Sequence, residues 1–498
     1  MASTQNTHAL VKKEPNTIKY RIKSKFFEIS YDLFSQNRER LCEKFKNDNQ
    51  ITEGLILLQG GVSETRHATD TEPLFRQESF FWWAFGVREP DMYGTIRVED
   101  GFSTLVIPCL PDSYKIWMGH IKSPQEFMDL YGVDDVIFES DLEEHLTKHK
   151  NMTIYRLEGY NTDSSKLHQK ADHPCLSADK GNQFNFNDKL LWESMVECRV
   201  IKTEAELEVL RYVTKASSEA HKAIMKNIAP GWYEFEAESF FHHHVYSKAG
   251  CRHCAYCCIG ASGENGSILH YGHAGAPNNK KIENGDMCLF DMGGEYQGFC
   301  SDITCSFPVN GKFTEDQKLI YQTVYNAWKA VTDTLKVGVD WPDMQILAER
   351  EILKGLRQHG LIKGDLKNME RDRLCALFMP CGLGHFIGCD VHDVGGYLSF
   401  TPKRSELVGL KNLRTARKMQ KNMVITIEPG CYFVWSVIED VIKNEGPWAK
   451  YLVLENLEKF KNFGGVRIES DVIVHENGCE DMCDVPRTIE EIEQFMSK

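Results

Sequence analysis

Five residues beyond the middle of the chain have the types and settings needed for metal chemistry: Asp291, Asp302, His385, Glu428 and Glu469. The segment Cys288-Leu-Phe-Asp-Met-Gly-Gly-Glu-Tyr-Gln-Gly-Phe-Cys-Ser-Asp-Ile-Thr304 reads as two strands around a glycine turn. That pattern puts Asp291 and Asp302 on neighbouring strands of a hairpin, where two carboxylates can converge. Further on, Gly382-Leu-Gly-His-Phe-Ile-Gly388 presents His385 in a glycine-rich bend that backbone can approach closely. In Val424-Ile-Thr-Ile-Glu-Pro-Gly430, Glu428 ends a strand immediately before a Pro-Gly stop. Gly465-Val-Arg-Ile-Glu-Ser-Asp-Val472 is a strand with Arg467 and Glu469 at alternate positions, hence on one face.

Four carboxylates and one neutral imidazole cannot be buried together without compensation. Two divalent cations cancel that charge, and oxygen-rich ligation with a single imidazole suits manganese or a similar divalent metal. A water held between two such cations about 3.5 Å apart loses its proton near neutral pH and becomes a nucleophile. Taken singly, each residue has a bland reading. An Asp beside a glycine turn is usually a turn former, and a Glu before Pro-Gly is usually solvated. Their joint occurrence in separate apolar, glycine-punctuated strands is what points to a site.

The elements that must position these residues are also readable. Thr203-Glu-Ala-Glu206 is a capping box, and Leu207, Leu210, Val213, Ser217, Ala220 and Ile224 recur at helical spacing up to Pro230-Gly231. A second such helix starts at Thr314, with Gln317 at the reciprocal position, and runs through Ile320, Val324, Ala327, Val331 and Leu335 to Gly338. Each is followed by a Trp (Trp232, Trp341) and a further helical stretch, which predicts an internal duplication of a helix–helix–strand unit with a cleft between its halves. Earlier, apolar runs at 54–58, 103–108 and 135–138 predict sheet strands among helical stretches, with no cluster of metal-ligand types. The polar stretch 161–188 is the expected domain junction.

A chain of 498 residues predicts two domains. They are expected at 1–190, mixed α/β and non-catalytic, and 191–498, which carries the site; the fold class is α+β. The net charge of −14 argues against nucleic acid as a partner. Residues 1–20 lack the apolar core of a signal peptide, and no apolar run of about 18 residues could span a bilayer. A cytoplasmic protein without membrane attachment is expected.

The 17 cysteines are then expected to be thiols. Cys251, Cys254, Cys257 and Cys258 include a CxxC, but no second pair follows at zinc-knuckle spacing, so they read as buried thiols in and beside a strand. His242-His243-His244 falls in a helical stretch, where adjacent residues diverge by about 100°, and reads as a solvated face. Gly382, Gly384 and Gly388 lack the flanking elements of a nucleotide loop.

At the five candidate ligands the chain resembles the prolidases, the Xaa-Pro dipeptidases of the "pita-bread" metallopeptidase family. The resemblance extends over Arg76-Gln-Glu-Ser-Phe-Phe81 and Trp83-Ala-Phe-Gly-Val87, and over Leu269-His-Tyr-Gly-His-Ala-Gly-Ala-Pro277. It continues through Asp390-Val-His-Asp-Val-Gly-Gly396, Leu413-Arg-Thr-Ala-Arg417 and Gly464-Gly-Val-Arg-Ile468. It implies a pseudo-symmetric catalytic domain, two Mn2+ on Asp291, Asp302, His385, Glu428 and Glu469, small dipeptide substrates and a homodimer. By the same resemblance Asp302 and Glu469 bridge the metals and Glu428 shuttles the proton. His392 lies near the developing oxyanion, Arg414 and His270 read the substrate carboxylate, and Arg467 braces the site. Trp117 would reach the partner subunit, and Tyr256 matches a tyrosine near the metals.

One departure stands out: in Pro380-Cys-Gly-Leu-Gly-His385, Cys381 occupies a position where the family carries histidine. A thiol cannot bring an imidazolium charge, and loss of a donor there costs on the order of 10²-fold in turnover. A low-pKa thiolate beside the metals would instead make the site redox-sensitive or favour a softer metal. Two other readings follow. The same metal core would serve an aminopeptidase acting ahead of proline on longer peptides. Cys381 would also suit a catalytically weakened binding protein on the same fold.

Overall fold

The computed structural model describes residues 26–177 and 183–497. The signal-peptide reading of residues 1–20 lies outside them. The chain divides into two compact units, one of Met1–Glu158 with Gln169–Leu191 and one of Gly159–His168 with Trp192–Lys498.

The first unit is built on a six-stranded sheet in the order Asp135–Phe138, Ser103–Ile107, Tyr93–Arg97, Leu55–Gln59, Thr153–Arg156, Asn185–Asn187. The central strand, Leu55-Ile-Leu-Leu, is buried at all four positions, as a strand covered on both faces must be. It pairs antiparallel to Tyr93–Arg97 and parallel to Thr153–Arg156. Helix Ser79–Phe85 is capped by Glu78, whose carboxylate accepts from the Phe80 and Phe81 amides, and every residue from Phe80 to Phe85 is buried. The aromatic motif there is therefore core. Trp117, on the short helix Tyr114–Met118, is the opposite case and is 81% exposed.

The second unit repeats one plan. Helix Glu204–Asn227, helix Glu234–Ala249 and an antiparallel sheet of Ile259–Ser262, Met287–Asp291 and Thr304–Pro308 make the first half. Helix Glu315–Thr334, helix Trp341–Gln358 and an antiparallel sheet of Val424–Ile427, Ser470–His475 and Gly478–Asp481 make the second. Both leading helices start on the capping boxes read from sequence, at Thr203 and Thr314, each contributing about 1 kcal/mol. They stop at Asn227 and Thr334, a few residues before the glycine turns.

The segment around the two aspartates is more elaborate than a single hairpin. Met287–Asp291 does pair with Thr304–Pro308, with Asp291 opposite Thr304. Between them, however, Gly294–Tyr296 and Phe299–Cys300 form an inserted hairpin that joins His253–Cys254 in a separate sheet. Asp302 thus lies in irregular chain just ahead of a strand rather than within one. Gly293 marks the crossing, since a Cβ there would sit 1.8 Å from the Ser301 carbonyl oxygen. No helix among the described residues is long and apolar enough to cross a membrane.

Candidate metal centre

The candidate ligands come from the sheet ends of both halves. Asp291 ends its strand, Asp302 precedes the next, Glu428 follows Val424–Ile427, and Glu469 precedes Ser470–His475. His385 belongs to an irregular segment laid along Val424–Ile427. Its amide donates to Thr426 Oγ1 at 3.1 Å, the Thr426 amide donates to the His385 carbonyl at 2.9 Å, and the Glu428 amide donates to the Leu383 carbonyl at 2.8 Å. Gly384 permits this, because a Cβ there would lie 2.0 Å from the Thr426 carbonyl oxygen.

These side chains converge. Ligand atoms of Asp302, His385 and Glu469 all lie within 4.8 Å of one another, and all three residues are buried. His385 Nε2 is 3.3 Å from Asp302 Oδ2 and 3.4 Å from Glu428 Oε1. The other ring nitrogen, Nδ1, lies 3.0 Å from the Phe386 carbonyl; donating there leaves Nε2 as a lone pair facing the carboxylates. Asp291 is fixed by the Tyr256 hydroxyl and by Arg467 Nη2 at 2.6 Å.

Arg467 is fully engaged behind the carboxylates. Its Nε donates to Thr304 Oγ1 at 2.9 Å and its Nη1 to the Tyr432 hydroxyl at 2.8 Å. Thr304 Oγ1 in turn donates to Glu469 Oε2 at 2.6 Å. Asp471 Oδ2 accepts from the Asp302 amide and from Thr214 Oγ1, both at 3.0 Å.

The electrostatics are those of carboxylates gathered for a cation. Burial, then Asp291, Asp471 and Glu428, raises Asp302 well above the ordinary carboxylate range. Burial, then Asp302, Glu428 and Asp291, does the same to Glu469, and burial raises Glu428. Burial also raises Asp471, to about 8. Oδ1 of Asp302 is buried and makes no hydrogen bond. An oxygen-rich cluster with one bare imidazole nitrogen and an orphaned buried oxygen fits a divalent cation of the hard or borderline class.

In front of the cluster lies a cavity of about 500 Å³, lined by His270, Cys381, His385, His392, Arg404, Arg414 and Glu428 among others. Arg467 is not among the lining residues. The His392 ring packs edge-on against His385 with centroids 4.5 Å apart. Burial, then His385, Arg414 and His270, lowers His392 below the usual imidazole range, although the residue stays exposed on its cavity side. His270 is also lowered, by burial, Arg467 and Arg414. Cys381 goes the other way from the low-pKa thiolate, one of its two readings from sequence. Burial and the neighbouring Glu428 carboxylate push it up to about 12, which makes it a neutral thiol.

Sequence reasoning missed Asp163 and Arg404. Asp163 lies in the hairpin Gly159–Asn161 and Lys166–His168, its Oδ1 accepting from Arg404 Nη2 at 2.9 Å and its Oδ2 lying 3.5 Å from Arg414 Nη1. Arg404 also stacks on the Tyr397 ring at 4.3 Å. Asp163 therefore orients two guanidinium groups at the cavity wall. The polar stretch around it reads only as a junction, and nothing local marks its side chain as part of a site.

Comparison with known proteins gives this arrangement a context. Residues 208–476 match Metallopeptidase family M24, and residues 34–155 match the Aminopeptidase P, N-terminal domain. An Xaa-Pro dipeptidase of Homo sapiens is 50% identical over 466 residues, covering 93% of each chain. One from Mus musculus is 49% identical over the same length. A probable Xaa-Pro aminopeptidase of Pyrenophora tritici-repentis is 34% identical over 446 residues, covering 89% of this chain and 92% of its own. Among solved structures, Pseudomonas aeruginosa aminopeptidase PepP superposes with a TM-score of 0.76 at 26% identity, covering 94% of this chain and 98% of its own. A zinc-substituted Escherichia coli aminopeptidase P in complex with product gives 0.75 at 27% identity with the same coverage.

Proposed function

The chain belongs to metallopeptidase family M24, and from that premise we infer that it is an Xaa-Pro dipeptidase, hydrolysing the bond ahead of a carboxyl-terminal proline. The observation that carries the reading is 50% identity over 93% of the chain to an Xaa-Pro dipeptidase, against 34% to an aminopeptidase of similar length.

Asp291, Asp302, His385, Glu428 and Glu469 would hold two divalent ions, and the oxygen-rich donor set with one imidazole supports manganese. Such ions, when bound, activate water and polarise the scissile carbonyl. The remaining steps belong to side chains. Glu428 takes a proton from the attacking water and returns it to the proline nitrogen, a role supported by its place in the cavity wall with Oε1 3.4 Å from His385 Nε2. His392, held neutral at the cavity face, donates toward the oxygen on which negative charge develops. Arg414 and His270 read the free carboxylate after proline, and Asp163 pre-orients Arg414. Arg467 contributes from behind by fixing Asp291 and, through Thr304, Glu469. On this reading residues 1–190 are a non-catalytic domain, except for the hairpin Gly159–His168 that belongs with the second unit and supplies Asp163, and residues 191–498 are the metallopeptidase domain. Exposed Ile116, Trp117 and Met118 support a homodimer, and the 17 cysteines support the reducing cytoplasm.

The test is proline release from glycyl-proline by protein stripped with a chelator and then given manganese, beside Asp291→Asn. Manganese-dependent release that the variant lacks is expected. Release that survives both the chelator and the substitution would sink the metal reading.

A further inference from the structure

A second cluster of ligand types lies in the same unit, away from the cavity. His242, on helix Glu234–Ala249, meets Cys254, which ends the strand His253–Cys254, and Cys258, just before the strand Ile259–Ser262, with one ligand atom from each residue within 4.8 Å of the others. Cys258 Sγ is 3.5 Å from His242 Nε2 and Cys254 Sγ is 3.8 Å from the same nitrogen. Glu238, one helical turn earlier, places Oε1 3.7 Å from His242 Nε2, while its Oε2 is held by Asn278 Nδ2 at 2.9 Å. A tetrahedral ion with metal–sulfur bonds of about 2.3 Å and metal–nitrogen bonds of about 2.0 Å has sulfur–nitrogen edges near 3.5 Å. The two observed sulfur–nitrogen distances, 3.5 and 3.8 Å, are close to such edges, and the three residues leave a fourth position for solvent. His242 is half-exposed, so an ion can arrive from solvent.

From this geometry we propose that Cys254, Cys258 and His242, with solvent at the fourth position, form a second metal site selective for a thiophilic divalent ion of the zinc class. The reading from sequence considers only a second cysteine pair along the chain, whereas the third candidate ligand arrives from the preceding helix. His242 also departs from a purely solvated face. Of the two thiols, Cys254 is lowered well below the ordinary value, chiefly by the hydrogen bond from Cys258 and then by His242, while the same hydrogen bond and burial raise Cys258. Two cysteine sulfurs and an imidazole suit a soft or borderline metal, as the oxygen-rich cluster does not. The ion would tie helix Glu234–Ala249 to the loop carrying Tyr256, whose hydroxyl donates to Asp291. It is thus a structural staple next to the metallopeptidase centre, with no thiol in common with it.

Cobalt distinguishes the two centres, because only thiolate ligands give an intense charge-transfer band in the near ultraviolet. Reduced, full-length protein with manganese restored is titrated with Co2+ alone, and Zn2+ is then added. The expected result is a thiolate–cobalt band that saturates and is bleached by zinc. It is lost in Cys254→Ser and requires at least about 10-fold more cobalt in His242→Gln. It is retained in Cys257→Ser and Cys381→Ser. His242→Gln changes only a half-exposed helix residue, so it keeps the test meaningful if Cys254→Ser folds poorly. No band in the wild type, or a band that survives His242→Gln unchanged, would overturn the proposal, as would one that Cys381→Ser or Cys257→Ser removes.

Discussion

The carboxylate centre and the thiol cluster each carry one histidine, yet the fold treats them in opposite ways. The carboxylate centre is buried, its ligands drawn from sheet ends in both halves of the unit and clamped from behind by Arg467, Thr304 and Tyr256. The thiol cluster is local, made by one helix and the loop that follows it, with its histidine half-exposed. Position follows chemistry. Acidic ligands repel one another and need a rigid, pre-paid scaffold to stay together, whereas two cysteines and a histidine pack at little electrostatic cost. A cluster of acidic ligands must be assembled by the whole unit, while a stapling site needs only a short stretch of chain. Tyr256 is where they meet, since it lies between Cys254 and Cys258 in sequence and donates to Asp291.

The sharpest way to break this contrast is to damage one centre and watch the other. Asp302→Asn removes a central, orphaned carboxylate oxygen and is expected to lower kcat/KM for glycyl-proline by more than about 10³-fold, leaving the cobalt–thiolate band intact. Steady-state assays paired with the cobalt titration check both halves of that statement. Glu428→Gln is expected to cut kcat by about 10²-fold or more while metal content, measured by atomic absorption, falls less. Cys381→His would restore a donor at the cavity wall, and its turnover should rise by up to about 10²-fold in the same assay. Arg414→Ala is expected to raise KM for glycyl-proline by roughly 10- to 100-fold, the loss of a charge-assisted pair. Glycyl-prolinamide, which lacks the carboxylate, should be hydrolysed equally by wild type and that variant. The smallest effect belongs to the other centre. His242→Gln should leave kcat/KM within about 2-fold, because it reaches the reaction only through the loop that carries Tyr256.

Much of the site was legible because its residues sit where apolar runs end against glycine or proline. Glu428 before Pro429-Gly430 and Asp291 before Met292-Gly293 are cases where a charged group has no reason to close a buried strand. The duplicated capping boxes likewise predicted both leading helices, because an N-cap is a local event and needs no tertiary partner. What local reasoning could not supply was long-range return of the chain. The glycine pair at 293–294 looked like a turn, but Gly293 is a crossing where backbone passes within contact of Ser301. Asp163 and Arg404, 241 positions apart, meet only because the hairpin from Gly159 to His168 belongs to the second unit. His242 meets Cys254 and Cys258 because helix Glu234–Ala249 ends at Gly250 in a left-handed turn that sends the loop back along it, which a spacing rule for cysteine pairs cannot see.

The central claim is that this cavity reads a dipeptide, with Arg414 closing on the carboxylate that follows proline. The most direct test is the ratio of kcat/KM for glycyl-proline to that for glycyl-prolyl-glycine, measured on the same manganese-restored protein. A ratio of at least about 10, as loss of one charge-assisted contact implies, is the predicted result. Equal or faster cleavage of the tripeptide would contradict it and assign the chain to aminopeptidase action on longer peptides.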